Sequence, residues 1–305
     1  MRILVVGAGA VGGYFGARLV AGGADVTFSV RSGTEAVLRE SGLRVLSPLG
    51  DLHLQEPRLL DSESDAPFDL VLICTKLRDL EAGIDIAEAH LADDGLAAAL
   101  QNGVESEERL KSRLGAKRVL GAVAYIAAAL ERPGVVRHTG EMARLVIGLP
   151  GGGSHPVLDA LVAACKRAGI DAEAAADIEA AIWRKFVFLA PFAGLTASWR
   201  RAIGPLRENP NAWAFYGNLV HEAVAVARAC KVNLPEDAAD QVLTFTRGLP
   251  EGMKASMLHD LEAGRPLELH WLTGAVARLG AELGVETPAS SSVTAELQPY
   301  ADGTA

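Results

Sequence analysis

Residues 1–20 read MRILVVGAGAVGGYFGARLV: a short apolar run, Ile3 to Val6, drops straight into glycines at Gly7, Gly9 and Gly12. The run predicts a strand, and the stretch after the glycines has the spacing of an amphipathic helix. Gly7-Ala8-Gly9-Ala10-Val11-Gly12 therefore fits G-x-G-x-x-G in the setting that gives this pattern meaning, between a strand and a helix. Each glycine has its own task. Gly7 lets the chain turn tightly, Gly9 lets backbone approach a pyrophosphate, and Gly12 lets the helix pack close on the strand. The helix N-terminus then aims unsatisfied N–H groups and a partial positive charge at the phosphates. On this reading residues 7 to 12 bind a dinucleotide, although glycines also serve ordinary strand-to-helix turns.

Working outward, the first half alternates short apolar runs with amphipathic stretches, as parallel strands separated by helices do. Further strands are expected over Asp25–Val30, Asp69–Thr75 and Gly95–Leu100. GLRVLSPLGDLHL (42–54) reads as a small antiparallel hairpin inserted into the sheet, and AYIAAALERPGVVRHTG (124–140) as a second hairpin around Pro133 and Gly134. Ligands of an open parallel sheet sit beyond the carboxyl ends of its strands, so the residues there carry weight. After the second strand stands Arg31, where an NAD-binding chain usually places a carboxylate against the ribose 2′-hydroxyl. A guanidinium instead grips a 2′-phosphate, so Arg31 points to NADP, with Ser32 as a further donor. Lys76 closes LVLICTK and Asn102 closes ALQNGV. Each has a plain alternative, a lysine surfacing after a buried strand and an Asn-Gly turn.

From about Asp177 the pattern becomes nearly continuously helical. DIEAAIWRKFVFLAPFAGLTA (177–197) opens on an Asp N-cap and an acidic first turn, carries Pro191 inside an apolar run, and reads as a largely buried helix. NAWAFYGNLVHEAVAVARACK, PEDAADQVLTFTRG, EGMKASMLHDLEAG, PLELHWLTGAVARLGAELG and PASSSVTAELQPY follow as helices. The fold class is α/β: a Rossmann-type dinucleotide-binding domain over residues 1–176, then an all-α domain over 177–305.

Composition bounds the partners. The 305 residues are 50% apolar and 22% charged, with a net charge of −9 that gives no sign of a nucleic-acid or anionic-membrane partner. Uncharged stretches fall short of the roughly 20 residues that span a bilayer. No signal-peptide core follows Met1, so a cytoplasmic protein is expected. Cys74, Cys165 and Cys230 show no metal-ligand spacing and read as reduced, buried thiols, with no metal site.

Dinucleotides carry hydride chemistry, and a carbonyl reduced by hydride needs a proton donor for the developing alkoxide. Lys185 is the candidate in the helical half, because its neighbours three and four positions away are Ala181, Ile182, Phe188 and Leu189. Burial on such a face lowers an ammonium pKa and makes it a better acid near neutrality. The competing reading is a lysine snorkelling out beside Arg184. Glu268, in GRPLELHW, either orients a lysine or caps its own helix; Ser256, in KASMLHD, either binds a carboxylate or is a tolerated helix serine. His259 and His270 read as surface or structural residues.

In order and approximate spacing, ILVVGAGAVGGYFGARL, Arg31, TK at Lys76, QNGV at Asn102, WRKF around Lys185, LTA at Thr196, SMLHDLEAGRPLE from Ser256 to Glu268, and the late GVETP resemble the ketopantoate reductases (2-dehydropantoate 2-reductases). The resemblance covers essentially the whole chain. It implies NADPH-dependent reduction of a 2-oxo acid to a 2-hydroxy acid, with 2-dehydropantoate to pantoate, in pantothenate biosynthesis, as the leading reaction. It also implies that residues 177–305 form the substrate and catalytic domain and that the protein is a homodimer. By the same resemblance Lys185 protonates or polarises the carbonyl and Glu268 keeps the site in order. Asn102 lies by nicotinamide and substrate, Lys76 by the cofactor, and Ser256 binds substrate. The chain departs from the family one and two turns after Lys185, where asparagines that contact substrate are replaced by Leu189 and Ala193. An apolar side chain facing a buried substrate hydroxyl costs about 1 to 3 kcal/mol. That departure favours, as an alternative, a 2-oxo acid with a more apolar tail. A third reading is a non-catalytic NADPH sensor, against which stand the retained Lys185 and Glu268.

Overall fold

The computed structural model describes residues 1–61 and 65–303. They form two compact units, one from the described residues within 1–101 and 105–178, the other from 102–104 and the described residues after 178. Positions 304 and 305, at the end of the expected second domain, lie outside the described residues.

The first unit contains β1 (Arg2–Val6), α1 (Ala10–Ala21), β2 (Asp25–Ser29), α2 (Ser32–Ser41), β3 (Leu43–Leu46), β4 (Leu52–Leu54) and β5 (Phe68–Ile73). It continues with α3 (Leu80–His90), β6 (Leu91–Ala99), α4 (Ser106–Leu114), β7 (Val119–Arg132), β8 (Val135–Gly148), α5 (Pro156–Arg167) and β9 (Asp171–Ala174). The strands run in the order β2-β1-β5-β6-β7-β8-β3-β4, with β9 on β8. From β2 to β7 the pairing is parallel, and β7 and β8 form an antiparallel hairpin. Ile3, Leu4, Val71 and Ile73 have no exposed surface, which is the environment of parallel strands covered on both faces.

The β3–β4 hairpin forms, but it is not inserted among the parallel strands. It lies at the end of the sheet, where β3 runs parallel to the start of β8 and β4 is outermost. The reason is the length of β8. Its 14 residues leave a long edge opposite β7, which β3 covers near Val135–Arg137 and β9 near Arg144–Ile147. An open edge of that length would be a template for aggregation. Sequence periodicity does not announce β9, whose four residues are too few to show one.

The second unit holds α6 (Ile178–Trp199), α7 (Ile203–Glu208), α8 (Pro210–Ala229), α9 (Ala238–Arg247), α10 (Ser256–Glu262), α11 (Thr273–Leu283) and α12 (Pro288–Leu297). Helix α6 runs unbroken through Pro191. A mid-helix proline costs about 3 kcal/mol. Burial of Phe186, Val187, Ala190, Phe192 and Leu195 in the helical core outweighs that loss. By length and composition α6 is able to cross a membrane, but 67% of its most apolar window is buried inside the protein. Two predicted helices are shorter than expected. EGMKASMLHDLEAG is helical only from Ser256, and PLELHWLTGAVARLGAELG is broken into a 3-10 turn, Leu269–Trp271, followed by α11. Glu268 therefore stands ahead of a 3-10 turn and not at a helix start. The break is at Leu272, whose φ of −110° and ψ of −103° cannot continue a helix. Farther on, the buried carboxylate of Glu222 in α8 accepts hydrogen bonds from the N–H of Ala289 (2.7 Å), the N–H of Ser290 (2.8 Å) and Ser290 Oγ (2.6 Å), capping α12 from a neighbouring helix.

Candidate active site

The glycine turn shows three different local demands. Gly7 has φ +98°, a conformation that side chains resist. A Cβ on Gly12 would lie 2.0 Å from the Gly7 carbonyl oxygen and 2.7 Å from Cys74 Cβ, so only glycine lets α1 meet the sheet there. A Cβ on Gly9 would meet nothing within 4 Å. Packing therefore does not require glycine at position 9, and the open space above it suits a ligand group brought against backbone. Gly9 is also the N-cap of α1 and has no side chain to satisfy the first N–H groups. These residues fit the pyrophosphate of a dinucleotide. Cys74 lies beneath the turn, and burial pushes its thiol up to about 12, which keeps it protonated and inert.

Two neighbouring strand ends frame the turn. Arg31 follows β2 and is the N-cap residue of α2, with its side chain 76% exposed and Nη2 2.7 Å from Asp79 Oδ2. Lys76 follows β5, exposed, immediately before a 3-10 turn, Leu77–Asp79, whose Asp79 N–H donates to the Lys76 carbonyl at 2.9 Å. Gln101 ties this loop down. Its Nε2 donates to the Thr75 carbonyl (2.9 Å), Thr75 Oγ1 (3.1 Å) and the Lys76 carbonyl (3.2 Å), while Ser106 Oγ donates to its Oε1 (2.9 Å). Sequence reasoning passed over Gln101 and Asp79. The first sits inside the QNGV motif noted for Asn102; the second leaves no local signal, since its partner is far away along the chain.

In the helical unit, Lys185 Nζ donates to Asn102 Oδ1 at 2.8 Å, and Asn102 Nδ2 donates to Glu268 Oε2 at 3.4 Å. An ammonium only donates and a carboxylate only accepts, so this one orientation of the amide satisfies both neighbours. Three residues expected at the site are thus brought together. Val104, two positions after Asn102, packs into the helical core and anchors the segment. Burial lowers the Lys185 pKa to about 8, against the negative charge of Glu268, which raises it. Glu268 itself is 8% exposed.

Lys185 sits on a half-buried stripe of α6 with Ile182, Phe188 and Leu189, while all other residues from Phe186 to Ala197 are buried. Phe188 stacks on Phe192 with ring centroids 5.2 Å apart and meets Phe245 edge-on at 5.1 Å. Of the two apolar residues one and two turns after Lys185, Leu189 keeps accessible surface. Ala193 is 1% exposed and part of the helical core, so its methyl group presents no surface to a ligand here. Ser256 is exposed at the first position of α10 and is not hydrogen-bonded to the Lys185 group among the described residues. The arrangement offers an ammonium poised to give up a proton near neutral pH, held by an amide, beside an apolar surface.

Comparison with known proteins agrees with these features. Residues 3–152 match the family model described as ketopantoate reductase PanE/ApbA, and residues 177–301 match that of its C-terminal part. The 2-dehydropantoate 2-reductase of Archaeoglobus fulgidus is 32% identical over 289 residues, covering 93% of this chain and 92% of its own. An uncharacterized oxidoreductase of Bacillus subtilis, YkpB, is 32% identical over 302 residues, covering 98% and 99%. The crystal structure of 2-dehydropantoate 2-reductase from Geobacter metallireducens GS-15 superposes with a TM-score of 0.88 at 31% identity, covering 98% of this chain and 99% of that one. With both family models matched along the chain and the Lys185–Asn102–Glu268 group formed, this chain belongs to the ketopantoate reductase family.

Proposed function

We propose that this chain reduces a 2-oxo acid to the 2-hydroxy acid with NADPH, 2-dehydropantoate to pantoate being the reaction its family points to. The observation that carries this reading is the hydrogen-bonded chain Lys185–Asn102–Glu268. The bound dinucleotide supplies a hydride; the chain's own residues do the rest. Residues 7 to 12 receive the pyrophosphate, Arg31 the 2′-phosphate, and Lys76 adds positive charge at the neighbouring strand end. As negative charge builds on the carbonyl oxygen of the substrate, the Lys185 ammonium donates a hydrogen bond and then its proton, leaving a neutral amine and the product hydroxyl. Asn102 Oδ1 holds Nζ in place, and the charge of Glu268 keeps the proton on Lys185 until it is needed. Ser256 Oγ receives the substrate carboxylate at the start of α10.

A second reading is favoured by one feature, the apolar surface of Ile182, Phe188 and Leu189 around Lys185. It suits a 2-oxo acid with a branched or aromatic tail, for which no hydroxyl has to be matched. The test is NADPH oxidation with 2-dehydropantoate beside such acids, compared as kcat/KM. A wide margin for 2-dehydropantoate supports the first reading, and a wide margin for an apolar acid supports the second. No reduction of any 2-oxo acid by correctly folded, NADPH-binding protein would refute both. In the second case Leu189→Asn should shift the ratio toward 2-dehydropantoate by about ten- to hundredfold. Position 193 is unsuited to that test, because an amide there would be forced into the core.

A further inference from the structure

We infer that Asp79 is a specificity-determining residue that limits how strongly this chain prefers a 2′-phosphorylated dinucleotide; the inference rests on the reading that Arg31 receives the 2′-phosphate. In the strand order β2-β1-β5, Arg31 follows β2 and Asp79 closes the turn after β5. The 2.7 Å ion pair between them therefore spans the end of β1, where the glycine turn begins.

The two partners are not equally free to move. Asp79 is 28% exposed, its N–H donates to the Lys76 carbonyl, and its own carbonyl accepts from Thr75 Oγ1 at 3.4 Å. The Lys76 and Thr75 backbone is held in turn by Gln101. A second cation, Arg78 Nε, stands 3.8 Å from Asp79 Oδ2. Arg31, by contrast, is a long side chain exposed along most of its length. The carboxylate is the fixed member and the guanidinium is the one that swings.

A carboxylate and a phosphate offer a guanidinium the same kind of acceptor oxygens. Asp79 thus occupies Arg31 with a surrogate anion, and it remains close by when a 2′-phosphate arrives. Exposed ion pairs are weak, so a group carrying nearly two negative charges displaces the carboxylate or shares the guanidinium with it. Either way the phosphate meets a repulsion that a ribose 2′-hydroxyl does not. The protein therefore holds NADPH less tightly than Arg31 alone would allow, which narrows its margin over NADH.

The experiment is calorimetric titration of NADPH, NADH and 2′,5′-ADP into the wild type, D79N and R31A, with melting temperatures recorded for each. D79N keeps the size and the hydrogen-bond acceptor but removes the charge. Its Kd for NADPH and for 2′,5′-ADP should fall about three- to tenfold, with the NADH value changed less than about twofold, and the gain should shrink as salt is raised. Unchanged or weakened NADPH binding in a D79N protein that melts like the wild type overturns the inference. R31A tests the reading beneath it: a loss of NADPH affinity of about tenfold or more with NADH spared upholds the assignment of Arg31. If R31A binds NADPH as the wild type does, that assignment falls, whatever D79N shows.

Discussion

As the proton donor proposed above, Lys185 has to be protonated to give a proton and close to its pKa to give it readily. With that pKa near 8, turnover should be level at lower pH and decline as pH rises through about 8, because the neutral amine has no proton to donate. Glu268 raises the Lys185 pKa, so Glu268→Gln should move the declining limb to lower pH, a shift that loss of structure would not produce. Lys185→Met should lower kcat on the order of 10³-fold while leaving the Kd for NADPH near the wild-type value. The lysine was legible in the sequence because apolar residues three and four positions away mark it as an anomaly on its helix. Its link to Glu268 was not, because side chains that far apart along the chain reveal no spacing, and the residues alone left Glu268 open between orienting a lysine and capping a helix.

Between strand and helix, two glycines that look alike in the motif should behave differently. Gly9→Ala finds open space for its methyl group and should fold with nearly unchanged stability, within about 0.5 kcal/mol, yet weaken dinucleotide binding by about tenfold or more. Gly12→Ala drives a carbon against the Gly7 carbonyl and Cys74, and should destabilise the protein by at least about 2 kcal/mol. Thermal melts beside dinucleotide titrations separate the two. Elements with several turns or alternations, such as α6 and the β7–β8 hairpin, could be read from their periodicity and turn residues. The break at Leu272 could not, because the segment from Pro266 to Gly284 keeps an apolar spacing that a continuous helix would also show.

Over the whole molecule, each unit has its own hydrophobic core, one lined by Ile3, Phe28 and Leu72, the other by Phe186, Tyr216 and Leu258. The cap that Glu222 provides to α12 belongs wholly to the helical core. Glu222→Ala should therefore cost about 3 kcal/mol by orphaning buried donors, and hydrogen exchange should quicken in α8, α11 and α12 while peptides from the sheet stay protected. Equal loss of protection in the sheet would contradict this assignment. The sequence alone determined the glycine turn, the change from alternating to helical pattern near residue 177, and the anomalous lysine, because these depend on neighbours within a turn or two of one another. Only the tertiary structure decided that the β3–β4 hairpin closes the far edge of the sheet, that Ala193 is core while Leu189 is accessible, and that Arg31 faces Asp79. Those outcomes depend on which surfaces meet across long stretches of chain, and local pattern carries no record of them.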